Sequence, residues 1–263
     1  MTAVLDLEKP FDQWGASAFE KVRSLQGDVA RAVETRRTLR FEMAGHGYYV
    51  KYHKGLSVGE LVKNLLTLRM PIYSAKNEWQ AVRHLSAAGV DTLKAVGYGY
   101  RGVAPLWTES FLITEELTDC INLGETVESG LWDTLTIAQK RDLLRLFAET
   151  VRGMHRAGVN HRDCYLCHFL WQRKTGRLFI IDLHRSQIRD KVPERWLIKD
   201  LASLYFSARE LPVPRTYFFR FLKIYLPGED LRRVLDKLTP VIRARVKKMA
   251  HHHKNLVKKR GFS

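Results

Sequence analysis

Asn160-His161-Arg162-Asp163-Cys164-Tyr165-Leu166-Cys167-His168-Phe169-Leu170, followed by the apolar run Leu178-Phe179-Ile180-Ile181 and then Asp182, is the stretch that decides the fold of this chain. Upstream of it, Thr136 and Gln139 have the spacing of a capping box. Ile137, Leu144, Phe147, Val151 and Met154 then recur at helical intervals until Gly158. The pattern predicts a long helix, a polar loop, and a short buried strand that ends on a carboxylate. Asp163 lies in the loop and Asp182 follows it by 19 residues. Two carboxylates so placed suit phosphoryl transfer, one beside an acceptor hydroxyl and the other on the Mg²⁺ that neutralises nucleotide phosphates. A polar loop without chemistry is the bland alternative, and His161-Arg162-Asp163 alone does not exclude it. The order of elements around the tripeptide carries the weight.

That order is the one found in the catalytic lobe of protein kinases. Such a lobe needs a phosphate-binding lysine and a glutamate that orients it, both earlier in the chain. Lys51 closes the strand-like run Tyr48-Tyr49-Val50, and Glu78 lies in a helix predicted over 75–88 from Trp79, Val82 and Leu85, stopped by Gly89. Further strands are predicted at 28–33, 38–43, 92–98 and 110–115, and helices at 195–209, 215–225 and much of 231–259. Strands first and helices second make an α+β, protein-kinase-like bilobal fold. The expected division is a small β-rich N-lobe over 1–117 for the nucleotide and a larger helical C-lobe over 118–263 for the catalytic loop and the substrate. At the seam, Thr114-Glu115-Glu116-Leu117 reads as a hinge in which Glu115 and Leu117 offer backbone groups to adenine.

Two motifs compete with this reading. Gly97-Tyr98-Gly99-Tyr100-Arg101-Gly102 matches a dinucleotide-binding loop, but Val103-Ala104-Pro105 is poor helix entry, so it reads as a hairpin between two strands. Cys164-Tyr165-Leu166-Cys167-His168 matches a haem-attachment pattern, and His161, Cys164, Cys167 and His168 have ligand types that suit zinc. The same segment fits the catalytic loop, with the cysteines as packing residues.

Composition bounds the partners. The 44 basic and 28 acidic residues give a net charge of +16, which predicts an anionic partner: nucleic acid, a membrane surface or a phosphorylated substrate. The basic residues are scattered and no nucleic-acid-binding motif is found, so nucleic acid is not expected. Three cysteines argue against a disulfide framework. With no signal-peptide core at the start and no apolar run long enough to span a bilayer, the expected location is cytoplasmic, with attachment to a membrane surface left open. His251-His252-His253 with Lys254, Lys258, Lys259 and Arg260 forms a basic tail, read as a solvated helix end or a contact for anionic lipid.

The segment from Asn160 to Leu170, with Ile181-Asp182-Leu183-His184-Arg185 after it, resembles the lipopolysaccharide core heptose(I) kinase family. The likeness extends to Arg37-Thr38-Leu39-Arg40, Tyr48-Tyr49-Val50-Lys51, Asn77-Glu78-Trp79-Gln80-Ala81, Thr114-Glu115-Glu116-Leu117 and Lys199-Asp200-Leu201-Ala202-Ser203-Leu204-Tyr205-Phe206. The resemblance implies transfer of a phosphate from ATP, with Mg²⁺, to a hydroxyl of the first heptose of the lipopolysaccharide inner core at the cytoplasmic face of the inner membrane. It also implies acyl carrier protein as a partner. Mapped on this chain, Asp163 is catalytic base, with Arg162 and His161 in the same motif. Lys51 and Glu78 serve the phosphates, Asp182 binds the metal, and Asp200 braces the catalytic loop.

Departures from ordinary protein kinases are also visible. His168 occupies a metal-ligand position where imidazole suits Mg²⁺ poorly. Glu34-Thr35-Arg36-Arg37 stands where a glycine loop is usual, leaving Arg36 or Arg37 to meet phosphate or solvent. His184, Arg185 and Arg189, in a short basic segment, are candidates to pair with an anionic sugar. A protein kinase, a catalytically silent kinase-like module and a nucleic-acid-binding domain stay open as alternatives.

Overall fold

Period-two alternation in the first third of the chain builds a sheet with two different faces. The computed structural model describes residues 3–33, 35–55, 74–102 and 107–229, and positions 232, 235–236, 238–244 and 246–248. Glu34, Val103-Ala104-Pro105, the tail from His251 and most of the helix expected over 231–259 lie outside the described residues. Contacts divide the chain into two units. The first comprises Met1–Ala87, Thr92–Thr118 and Asp182–Arg185; the second comprises Ala88–Asp91, Asp119–Ile181 and Ser186–Ser263.

In the first unit, β1 (Val4–Leu7), β2 (Asp28–Val33), β3 (Arg36–Met43), β4 (His46–His53), β5 (Ala95–Arg101) and β6 (Glu109–Glu115) form an antiparallel sheet in the order β1-β5-β6-β4-β3-β2. Leu39 pairs with Val50, Phe41 with Tyr48, and Val50 with Ile113, so these apolar side chains share one face. Phe11, Trp14, Phe19 and Val22 cover it. Phe11 caps the 3-10 helix Asp12–Ser17, which carries Trp14, and Phe19 and Val22 lie on helix α1 (Ala18–Ser24); the sequence reading assigned neither helix. The other face carries Lys51 and Leu112, which are direct partners. There α2 (Lys76–Ala87) packs, with Trp79 stacked on Tyr98 at 4.3 Å.

The expected hairpin is present as the antiparallel β5–β6 pair, but the first strand runs to Arg101, beyond its expected end at Tyr98. Gly97 and Gly99 lie inside β5, not in a turn. A Cβ on Gly99 would come within 2.3 Å of the Phe111 ring, and one on Gly97 within 3.1 Å of Ile113. Gly99 is therefore required by close approach of the Phe111 ring from the neighbouring strand, and Gly97 is favoured by a tight contact with Ile113.

The second unit is organised by α5 (Ile137–Arg156), preceded by β7 (Cys120–Asn122), α3 (Leu123–Glu128) and α4 (Leu131–Thr134). Thr136 Oγ1 accepts from the Gln139 amide (3.2 Å) and Gln139 Oε1 from the Thr136 amide (2.9 Å), closing the capping box. Leu143, Phe147, Val151 and Met154 are buried, each contributing about 1.5–3 kcal/mol. Ile137 departs from the expected apolar face: as the first helical residue it is 70% exposed. Beyond the helix come β8 (Val159–Asn160), β9 (Phe169–Gln172), β10 (Arg177–Ile180), β11 (Gln187–Ile188), α6 (Glu194–Arg209) and α7 (Thr216–Tyr225). β9 pairs with both β7 and β10, and β8 with β11.

Gly158 ends α5 at φ +78, and a Cβ there would sit 1.8 Å from the Arg189 carbonyl oxygen. Only glycine lets the β8–β11 pair close behind the helix. An apolar cavity of about 110 Å³ lies among Leu123, Trp132, Leu143, Phe147, Tyr205 and Phe218. Among the described residues no helix is long and apolar enough to cross a membrane.

Candidate active site

Sheet register and helix phase bring the first group of charges together. Lys51 projects from β4 on the face that carries α2, and its Nζ donates to Glu78 Oε1 at 2.6 Å. Glu78 is 1% exposed, and its Oε2 has no hydrogen-bond partner among the described residues. A buried carboxylate of this kind is tolerated because an ammonium lies against it. Lys51 Nζ is also 3.9 Å from Asp182 Oδ1. Asp182 has φ +61, a left-handed conformation that aspartate tolerates better than most residues. His184 Nδ1 donates to Asp182 Oδ1, and the His184 carbonyl oxygen accepts from Asn77 Nδ2 (2.9 Å) on α2. One helix therefore positions both Lys51 and the turn that carries Asp182. The hard oxygens of Asp182 beside an ammonium fit a divalent ion shared with phosphate oxygens.

Strand parity settles the two arginines that stand where a glycine loop is usual. Arg36 pairs with His53, on the Lys51 face. Arg37 points the other way, and its Nη2 donates to the carbonyls of Val22 (3.2 Å) and Leu25 (3.3 Å), a structural task. At the hinge, Lys94 engages both the Glu115 side chain (2.6 Å) and the Glu115 amide, which donates to the Lys94 carbonyl (3.0 Å). The Glu116 amide donates to the Gly47 carbonyl (2.9 Å). Leu117 comes next, beyond the end of β6.

His53 escaped the sequence reading, since a strand-end histidine carries no signal of burial. It is buried, and its Nδ1 has no partner among the described residues. Burial, reinforced by the charges of Arg36, Lys51 and His184, pushes its imidazole down to about 3. The folded value lies below the unfolded one, so His53 favours the folded state fully above about pH 6.5, and this contribution is lost as pH falls toward 3. Between about pH 6 and pH 4 we expect stability to fall more steeply than in His53→Gln, by up to about 1.4 kcal/mol per pH unit. Urea unfolding across that range checks this; parallel slopes for the two proteins would refute it.

In the second unit the catalytic-loop candidates are held from below by one buried carboxylate. Asp200, on α6 and fully buried, accepts from the amides of His161 (Oδ2, 2.7 Å) and Arg162 (Oδ1, 2.9 Å). His155 Nε2 donates to Asp200 Oδ2 at 3.2 Å, and Tyr225 meets His155 Nδ1 at 2.7 Å. Arg162 has φ +73, a strained conformation for a long side chain that these bonds sustain. His161 Nε2 donates to the Ile181 carbonyl (2.9 Å), tying the loop to the residue before Asp182. His168 stacks on His161 at 5.3 Å, and its Nδ1 donates to the Asp163 carbonyl (2.7 Å). Asp163 is thus presented by a loop fixed at its backbone on both sides.

The cysteines divide. Cys164 is buried, and burial together with Asp200 and Asp163 pushes its thiol well above the usual range, whereas Cys167 is exposed. Among the described residues no three His, Cys, Asp or Glu side chains gather as a metal-binding group.

The three basic candidates for the substrate separate. His184 and the exposed Arg185 belong to the first unit and Arg189 to the second. Arg189 donates to Asn160 Oδ1 and to Gln187 Oε1 (2.6 Å) and lies over the Trp196 ring. Asn160, His155, Tyr225 and Trp196 were missed in the sequence. Only His155, near the end of a helix that leads into the loop, had a position that pointed to them.

Known proteins resemble this chain over most of its length. Residues 20–225 match the model of the "Lipopolysaccharide kinase (Kdo/WaaP) family". The chain is 47% identical over 241 residues to the lipopolysaccharide core heptose(I) kinase WaaP of Escherichia coli K12, covering 89% of this chain and 91% of that protein. It is 47% identical over 239 residues to the protein of the same name from Pseudomonas aeruginosa, covering 88% and 89%. A solved structure described as WaaP in complex with acyl carrier protein superposes with a TM-score of 0.77 at 41% identity, covering 93% of this chain and 98% of that one. The α+β architecture is accordingly the kinase-like fold, and the chain belongs to the lipopolysaccharide kinase (Kdo/WaaP) family.

Proposed function

We propose that this phosphotransferase uses ATP and Mg²⁺ to phosphorylate a hydroxyl of the first heptose of the lipopolysaccharide inner core. The observation that carries the reading is the pairing of Lys51 with Glu78 beside Asp182, in a chain whose second unit presents Asp163 on a loop clamped by Asp200. When bound, Mg²⁺–ATP supplies the phosphoryl group and the metal's neutralisation of phosphate charge. Lys51 holds the α- and β-phosphates and Glu78 keeps its ammonium in place. Asp182 is the metal ligand, and His168 is at most a weak second one. Leu117 and the Glu115 carbonyl meet adenine. Asp163 orients the acceptor hydroxyl and receives its proton, with His161 and Arg162 setting the loop that carries it. His184, Arg185 and Arg189 face the anionic acceptor.

The acceptor is a membrane glycolipid, so the proposed location is the cytoplasmic face of the inner membrane, with peripheral attachment through basic surface. Acyl carrier protein is a further proposed partner. A small acidic protein suits the net charge of +16. The proposed lobes are 1–117 for the nucleotide and 118–263 for catalysis and the acceptor.

The test is transfer of labelled γ-phosphate from Mg²⁺–ATP to unphosphorylated lipopolysaccharide core, with a generic protein as the competing acceptor. Label on the core alone supports the proposal, whereas label on the protein alone replaces it with a protein kinase. Lys51→Met should lower kcat/KM for ATP about 10–100-fold, the worth of its charge-assisted contacts, and Glu78→Gln about tenfold. Steady-state kinetics in ATP check both.

A further inference from the structure

Trp196, in the first turn of α6, gathers more positive charge than any other aromatic ring among the described residues. Lys199 Nζ lies 3.6 Å from its centroid, the guanidinium carbons of Arg162 and Arg189 at 5.4 Å, and that of Arg195 at 5.6 Å. Arg195 and Lys199 come from α6 itself, Arg162 from the catalytic loop and Arg189 from the segment after β11. A ring face attracts each cation weakly, but four cations on one ring repel one another. Glu194 is the acidic residue of the same turn. Arg195 is exposed and reaches no carboxylate among the described residues. Trp196 Nε1 is a buried donor with no partner among them. The N-terminal end of a 16-residue helix adds its own positive potential at the same place.

We propose that Arg162, Arg189, Arg195, Lys199 and the Trp196 indole N–H form a subsite for an oxyanion, carboxylate or phosphate, carried on the acceptor saccharide beside the hydroxyl that receives phosphate. This rests on the glycolipid-kinase reading and deepens it. Arg162 is bonded directly to Asp163, so an anion seated on the cluster fixes the acceptor next to the catalytic carboxylate. A guanidinium group carries paired donors that match the two oxygens of an oxyanion. The subsite selects acidic acceptors and takes no part in the proton transfer.

The experiment is calorimetric binding of delipidated inner-core oligosaccharide in three forms: intact, with carboxyls reduced to alcohols, and phosphatase-treated. Wild type should bind the intact form at least about tenfold more tightly than whichever form lacks the recognised group, and the form that loses affinity identifies carboxylate or phosphate. Arg195→Gln combined with Lys199→Met should bind all three forms alike while retaining binding of an ATP analogue. Trp196→Phe, which keeps a ring and loses the donor, should weaken the intact form alone by several-fold. A double variant that retains the preference, or a wild type that shows none or binds no form, overturns the subsite. Transfer assays on the same samples separate the two readings. Discriminating binding without transfer leaves the subsite standing and removes the activity, whereas transfer with unchanged discrimination in the variant does the reverse.

Discussion

Asp163→Asn should lower the rate of phosphate transfer about 10³-fold while leaving ATP binding within a factor of about two. Asparagine matches the shape of aspartate but cannot take the acceptor proton. The loop that presents it is fixed independently of the side chain, through the amides of His161 and Arg162 on Asp200 and through His168 on the Asp163 carbonyl. Geometry should therefore survive the substitution, and the loss should fall on kcat. Single-turnover transfer with saturating ATP separates the chemical step from product release. Retention of more than about a tenth of the wild-type rate would show that Asp163 positions the hydroxyl without acting as its base. A loss of ATP affinity instead would place Asp163 among the groups that organise the nucleotide.

Asp200→Ala is expected to be the most destabilising single change in the site, at about 3–5 kcal/mol. The carboxylate is fully buried and accepts from two backbone amides and the His155 ring. Alanine would leave all three donors without their acceptor, two of them buried and the Arg162 amide partly so. Two further observations show how buried the surroundings of Asp200 are. Burial raises the Tyr225 hydroxyl above its ordinary range, with Asp200 adding to the effect, and it does the same to the Cys164 thiol. Asp200→Asn keeps one acceptor oxygen and turns an amide group toward a backbone N–H, so an intermediate loss of about 2 kcal/mol is expected. Because Arg162 is held at φ +73 by the same contacts, the asparagine variant should also lose transfer about 10²-fold with the KM for ATP unchanged. Urea unfolding gives the stability, and kinetics on the still-folded protein give the rate. A cost below about 1 kcal/mol for the alanine variant would mean that the loop carries itself.

Residues of the site differ in how far the sequence revealed them, and each difference has a physical cause. Asp163 and Asp182 were legible because both lie in local context: a capped helix, a loop, and an apolar strand that ends on a carboxylate. Lys51 was legible as the end of an aromatic, β-branched strand. Its partner Glu78 could be named from order along the chain, but contact between them depends on which sheet face α2 covers. That follows from Trp79 stacking on Tyr98 and from the Lys51–Leu112 register. Gly99 was read beyond the end of a strand that in fact runs to Arg101, because a glycine required by a neighbouring strand's side chain looks, in one dimension, like a glycine required by its own backbone.

Alternation and capping, which act over a few residues, determined from sequence alone the α+β order and the helix closed at Gly158, and they placed the candidates for phosphoryl transfer on a loop and a strand end. Only the tertiary structure decided that Arg37 braces α1 while Arg36 shares a face with Lys51, that His53 is sealed in neutral, and that Trp196 collects four cations. These outcomes join residues from separate elements. Register, burial and helix phase set them, and those quantities exist only once the elements have packed.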